Sequence, residues 1–150
     1  MPLGLEGFDR LRLAELPTPI RSLPRLTGHL GGPRLFVKRD DLTGLGLGGN
    51  KVRKLEYVLA EARRLGADTL VSIAVLQSNA LRQTAVAAAA RLGLRLHAAV
   101  TTDRVARTSL EYTRGGNYLL TRMFGAHLIE SSIQDIDARK ADWPSRNDAI

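Results

Sequence analysis

The spacing of apolar residues switches repeatedly between short β-rich runs and helical repeats, and this rhythm predicts most of the elements. Leu35-Phe36-Val37-Lys38 reads as a short strand. From about Asn50 to Leu65, residues Leu55, Val58, Leu59, Ala62 and Leu65 recur at three- and four-residue spacing and define one apolar face, with Gly66 where a C-terminal cap belongs. Thr69 to Val75 is rich in β-branched and apolar residues, the pattern of a strand buried on both faces. A helix from about Asn79 to Leu92, closed by Gly93, and a strand from Leu94 to Val100 continue the series. A third, looser repeat puts a helix over Tyr118 to Phe124, a stop at Gly125 and a strand over Ala126 to Ile129. Before the rhythm begins, residues 1–33 mix Pro, Gly and Arg without sustained period, which predicts an extended arm with one short helix. After it ends, a helical pattern from Ile133 to Lys140 is broken by Trp143-Pro144-Ser145-Arg146-Asn147.

Alternating strands and helices imply an α/β fold, a parallel sheet with flanking helices. Ligands in such folds bind at the carboxyl ends of strands, where helix N-termini point their amides. The loop Leu76-Gln77-Ser78-Asn79 stands at such an end.

Composition narrows the class. With 150 residues, 44% of them apolar, the chain can bury one core, as one domain or a piece of a larger one. No stretch is apolar enough to cross a bilayer, and the N-terminus lacks the basic-then-apolar pattern of a secretion signal, so a cytoplasmic location is expected. The absence of cysteine excludes disulfides and thiolate chemistry. A net charge of +7 raises nucleic-acid binding as a reading of a different class. The arginines are dispersed, however, and the few aromatics are not interleaved with them as a stacking surface requires. His29, His97 and His127 lack the spacing of a metal site, and no metal is proposed.

Candidate chemistry sits where glycines meet helix starts. Lys51 follows Gly48-Gly49-Asn50, and glycines let a backbone or a ligand approach closely. A lysine so placed can form a Schiff base with a carbonyl, the usual anchorage of pyridoxal phosphate. Ser78 is a good N-cap for the helix that follows it, and the amides of that helix start can also receive a carboxylate. Asn50 is a candidate cap for the helix that begins at Lys51. Arg53 and Lys54, one turn further on, carry charge but are not assigned a catalytic part.

The string Lys38-Arg39-Asp40-Asp41-Leu42-Thr43-Gly44-Leu45-Gly46-Leu47-Gly48-Gly49-Asn50-Lys51-Val52-Arg53-Lys54-Leu55-Glu56-Tyr57, with Gln77-Ser78-Asn79, resembles the D-cysteine desulfhydrase and 1-aminocyclopropane-1-carboxylate (ACC) deaminase family of pyridoxal-phosphate enzymes. Pro17-Thr18-Pro19-Ile20, Gly66-Ala67-Asp68-Thr69-Leu70, Arg82-Gln83-Thr84-Ala85 and Gly116-Asn117 occur in family order and spacing. The resemblance runs from about Leu16 to about Glu130 and covers about the first half of a family enzyme. It implies an incomplete fold type II, tryptophan synthase beta-like architecture: residues 1–50 as the start of the larger cofactor domain, 51–132 as the small open-sheet domain, and 133–150 as a divergent or truncated tail. It implies Lys51 as the lysine that anchors pyridoxal phosphate and moves the Cα proton, with Ser78 as the second catalytic residue. Asn79 and Asn50 become cofactor-binding residues, and Ser78, Asn79 and Gln77 contact a small amino-acid substrate. Asp40 and Asp41 become loop-structuring groups, and Gly116-Asn117 a structural turn. Homo-oligomers are implied for complete members.

Arg39-Asp40-Asp41-Leu42-Thr43 looks closer to the desulfhydrase branch, which converts D-cysteine to pyruvate, sulfide and ammonia; ACC deaminase is the alternative. The chain departs from the family pattern at Ala80, where a polar His or Gln is usual, and at Ala74-Val75-Leu76, where a glycine is usual. The phosphate-cradling loop, the substrate-facing tyrosines and the partner of the pyridine nitrogen belong to the second half of a complete member. The break in the tail, where the family has a longer amphipathic helix, reads as truncation or a changed reading frame; weak or no activity of this chain alone is expected, and a non-catalytic relic is the third reading.

Overall fold

The computed structural model describes residues 4–101 and 109–136. The expected helix over Ile133 to Lys140 is seen over residues 133–136, and the remainder of that prediction lies outside the described residues. The chain divides into two compact units, Met1–Leu65 and Gly66–Ile150.

In the first unit, strand β1 (Ile20–Ser22) pairs antiparallel with β2 (Phe36–Lys38), Ile20 opposite Lys38 and Ser22 opposite Phe36. The arm thus carries a strand that its sequence did not announce. Helix α1 (Pro24–Leu30) joins the two strands. Proline at its first turn needs no amide partner, and Gly31 closes it in the left-handed region at φ 61°. A single 3-10 turn, Asp40–Leu42, opens the glycine-rich loop, and helix α2 (Lys51–Arg64) follows. Gly66 stands one residue past the cap of α2 at φ 70°, where a glycine stop is favoured.

The buried face of α2 corrects the expected one. Val52, Leu55, Glu56, Leu59 and Ala60 are buried, whereas Val58 and Leu65 are exposed. Counting apolar residues alone rotates the face because it leaves out a buried carboxylate. Glu56, 1% exposed, accepts hydrogen bonds from the amides of Leu13 and Ala14 at 2.9 and 3.0 Å and pairs with Arg10 at 2.6 Å. Glu56 therefore belongs to the i, i+3, i+4 stripe and fastens the N-terminal arm along the helix.

The second unit is α/β. Strands β3 (Thr69–Val75), β4 (Arg95–Thr101) and β5 (His127–Glu130) form a parallel sheet in that order, with Val71 opposite His97 and His97 opposite His127. Helix α3 (Asn79–Val86) leads from β3 to β4, and its last part, Ala87–Leu92, winds as a π-helix. The predicted helix is thus present to its full length but changes pitch within four consecutive alanines, which impose no side-chain demand on the winding. Helices α4 (Leu110–Arg114) and α5 (Gly116–Met123) precede β5. Leu81, Ala85, Ala88 and Tyr118 of the helices pack with Leu96, Ala98 and Val100 of β4 on one face of the sheet. On the other face Val71, Ile73 and Val75 are exposed, so β3 is half-buried on one face and exposed on the other, where burial on both was expected. No helix among the described residues is long and apolar enough to cross a membrane.

Candidate active site

Lys51 is the first residue of α2, and the loop before it is knitted by its own backbone. Thr43, 0% exposed, is the hub: its hydroxyl lies 2.9 Å from the carbonyl oxygen of Gly49 and 3.1 Å from that of Asp40, and accepts the Gly49 amide at 2.9 Å. The Gly49 amide also reaches the Asp40 carbonyl at 2.9 Å. Gly48 takes φ 72°, and a Cβ there would stand 1.9 Å from the Asp41 carbonyl oxygen, so no side chain fits. These contacts bring residues 40–43 against residues 48–49 and set where Lys51 leaves the loop.

The arginine and aspartate charges around the loop are paired with one another. The Arg53 guanidinium forks onto Asp40 at 2.8 and 2.6 Å and also donates to Thr18 at 3.0 Å. Thr18 donates to Asp40 at 3.0 Å. The Arg53 hydrogen bonds, helped by Thr18 and by the charges of Arg53 and Lys38, outweigh desolvation and lower the Asp40 carboxyl to about 2. Arg39 is matched with Asp41 in the same way. Lys51 is half-buried, and its side chain has no hydrogen bond or ion pair among the described residues. Lys54 is exposed. Asn50 is exposed too, and its side chain makes no capping bond, contrary to the expected cap.

In the second unit the predicted residues lie where β3 runs into α3. Ser78 caps that helix: its Oγ accepts the Leu81 amide at 3.1 Å, while its carbonyl takes the Arg82 amide at 3.2 Å. The first two amides of the helix, those of Asn79 and Ala80, have no partner among the described residues. Ser78 Oγ acts here as an acceptor, which leaves its hydroxyl proton available. Asn79 Oδ1 accepts from Asn117 Nδ2 at 2.9 Å and from Arg82 at 3.4 Å. Gln77 uses both ends of its carboxamide on main chain: Nε2 donates to the carbonyls of Tyr112 and Gly115, and Oε1 accepts the Asn117 amide at 2.8 Å. Gly116-Asn117 is no free turn but the start of α5. Sequence reasoning missed the link from Asn117 to Asn79, because the two stand 38 positions apart and only the parallel crossover brings them together.

A family model described as "Pyridoxal-phosphate dependent enzyme" matches residues 11–148. The chain belongs to this family. Among curated relatives, it is 42% identical to the D-cysteine desulfhydrases of Salmonella paratyphi C (strain RKS4594) and of Salmonella enteritidis PT4 (strain P125109), over 99% of its own length and 45% of theirs. The chain therefore spans less than half the length of the relatives it matches. Among solved structures it resembles an ACC deaminase homologue, with 34% identity and a TM-score of 0.76 over 92% of this chain and 41% of the other. An O-ureido-L-serine-bound mutant of O-ureido-L-serine synthase, 22% identical at a TM-score of 0.61, shares the fold.

The residues present suit the family's cofactor in two respects. An aldehyde needs an amine not consumed by an ion pair, and Lys51 is that. An anionic ring oxygen needs a donor, and the Nδ2 end of Asn79 is open among the described residues. Among the described residues no cluster of three or more His, Cys, Asp or Glu could hold a metal ion.

Proposed function

We propose that this chain supplies the lysine and the substrate-carboxylate subsite of a pyridoxal-phosphate dependent lyase that converts D-cysteine to pyruvate, ammonia and sulfide. The observation that carries the reading is the amine of half-buried Lys51, unpaired among the described residues and set by a loop that excludes a side chain at Gly48, in a chain 42% identical to D-cysteine desulfhydrases. Pyridoxal phosphate, when bound, supplies an electron sink for negative charge at the substrate Cα.

Each residue then has a stated task. The Nζ of Lys51 would hold the cofactor and, once the substrate amine has displaced it, would take the proton from Cα as thiolate leaves Cβ. Asn79 donates through Nδ2 to the ring oxygen. Ser78 donates its hydroxyl proton to the substrate carboxylate, beside the open amides of Asn79 and Ala80, whose partial positive charge favours an anion. Asn50 lies beside Lys51 in sequence and is assigned to the cofactor. The side chain of Ala80 offers no donor, so side-chain discrimination among substrates falls to other groups. Arg53 plays no direct part, because its guanidinium is spent on Asp40.

ACC deaminase activity is the second reading, favoured by the likeness to the ACC deaminase homologue. One experiment separates the two. The protein is incubated with pyridoxal phosphate and either D-cysteine or ACC, and sulfide, pyruvate and ammonia are assayed. Sulfide and pyruvate from D-cysteine support the first reading; ammonia from ACC without turnover of D-cysteine supports the second. Borohydride reduction of the pyridoxal-phosphate mixture and peptide mapping test the shared premise, and a label on Lys38 or Lys54 with Lys51 free contradicts both.

A further inference from the structure

We infer that Asn117 is a positioning residue that fixes which end of the Asn79 carboxamide is left open for the cofactor, and that the fixing is rooted in main-chain groups. The inference rests on the reading of Asn79 as a cofactor-binding residue. A carboxamide has two ends of nearly equal size and opposite polarity, so steric fit alone does not decide whether an open end donates or accepts. Here polarity is transmitted. Asn117 lies 2.9 Å from the Gln77 carbonyl, which can only accept, so Asn117 must present Nδ2 to it. The same Nδ2 donates to Asn79 at 2.9 Å, which obliges Asn79 to present Oδ1 and leaves its own Nδ2 outward.

Gln77 keeps Asn117 in place by the same logic. Its Nε2 reaches two carbonyls, of Tyr112 and Gly115, at 2.6 and 3.0 Å, and its Oε1 takes the Asn117 amide. Gly116, at φ 58°, makes the approach possible, since a Cβ there would lie 2.6 Å from Gln77 Oε1. With Asn117 removed, Asn79 Oδ1 keeps only the longer contact from Arg82 at 3.4 Å, and the carboxamide is freer to turn over. It then presents an oxygen to an anionic oxygen, which repels where a donor would bind.

Two measurements test this on the 150-residue chain. Pyridoxal phosphate is titrated into the wild type, Asn117→Ala, Asn79→Ala and the double variant, with affinity read from the absorbance of the bound form. Asn117→Ala should weaken binding about tenfold, the order of one hydrogen bond to a charged group. The double variant should bind no more weakly than Asn79→Ala alone, because Asn117 acts through Asn79. A loss from Asn117→Ala that persists in full when Asn79 is already alanine would mean a merely structural role and overturns the inference. Equal affinity of the wild type and Asn79→Ala removes Asn79 from the cofactor and overturns the underlying reading instead. The second measurement needs no cofactor: the side-chain amide pair of Asn79 in a nitrogen-15 spectrum should move in Asn117→Ala and further in Asn117→Asp, whose carboxylate demands the opposite Asn79 orientation. An Asn79 amide pair unmoved by both substitutions contradicts the coupling even if pyridoxal phosphate binds.

Discussion

Thr43 offers the sharpest test of how the loop before Lys51 is held, because its two isosteric halves can be removed separately. Thr43→Val keeps the buried shape and deletes the hydroxyl, which takes from the loop one donor and one acceptor: the bond at the Gly49 or Asp40 carbonyl and the bond received from the Gly49 amide. At about 1 kcal/mol for each buried hydrogen bond, the expected loss is about 2 kcal/mol. Thr43→Ser keeps the hydroxyl and deletes one methyl from a fully buried site, a loss of about 1 kcal/mol. The two variants therefore differ in rank as well as in size, valine being the worse. Urea titrations read the stability change from the shift in midpoint at constant slope. Amide exchange at Gly49, whose N–H bonds both Thr43 and Asp40, should accelerate in the valine variant and remain slow in the serine variant. Reductive labelling of Lys51 by pyridoxal phosphate should follow the same order. If serine costs as much as valine, or more, the loop is held by packing and the hydroxyl hub is a wrong account.

Three further outcomes are expected. Lys51→Ala should abolish the reductive label and shift stability by no more than about 0.5 kcal/mol, since the side chain has no partner to lose among the described residues; a large loss of stability in urea would reveal a structural duty for the amine. Glu56→Ala, which removes the acceptor of the Leu13 and Ala14 amides, should cost about 2–4 kcal/mol and expose those amides to exchange, whereas Glu56→Gln retains one acceptor oxygen and should cost about 1 kcal/mol. Equal effects of the two would place the stabilisation in the Arg10 charge pair instead. Asp40, with its folded-state pKa depressed to about 2, contributes stability that is fully present above its unfolded value near 4 and is lost as pH falls toward 2; the stability gap between wild type and Asp40→Asn should close over that window, and a gap constant from pH 6 to pH 2 rules the Arg53 pairing out as its source.

What the sequence made legible followed the reach of each interaction. The helix at Lys51, the strand Thr69–Val75 and the capping by Ser78 depend on near neighbours, and the structure has all three. The buried face of α2 was misplaced because Glu56 is held by the main chain of residues 13 and 14, more than forty positions away, and a hydrophobicity count gives a carboxylate no reason to be inside. The pairing of β1 with β2 escaped notice for a similar reason. The three residues of β1 are all exposed and carry no period to read, so β2 was legible without its partner. Family resemblance proposes Lys51, Ser78 and Asn79 but gives Asn117 only a turn, since its contact with Asn79 runs across the crossover and is not part of a local motif.

One arrangement recurs in both units and bears on how such a site can change its chemistry. Thr43 in the first unit and Gln77 in the second each have donor and acceptor capacity, and each is satisfied by backbone groups. Lys51 stands two residues after Gly49, one partner of Thr43; Asn79 is tied through Asn117 to Gln77. Because the frame is made of main-chain contacts, a substitution at a neighbouring position such as Ala80 can alter what is offered to a substrate without disturbing the frame. The same reasoning forbids change at Gly48 and Gly116, where a Cβ would strike the Asp41 carbonyl or the Gln77 carboxamide. Tolerance at residue 80 beside intolerance at 48 and 116 is therefore the pattern that variation in this chain should show, and restoring a histidine or glutamine at position 80 should shift substrate preference while leaving the label on Lys51 intact.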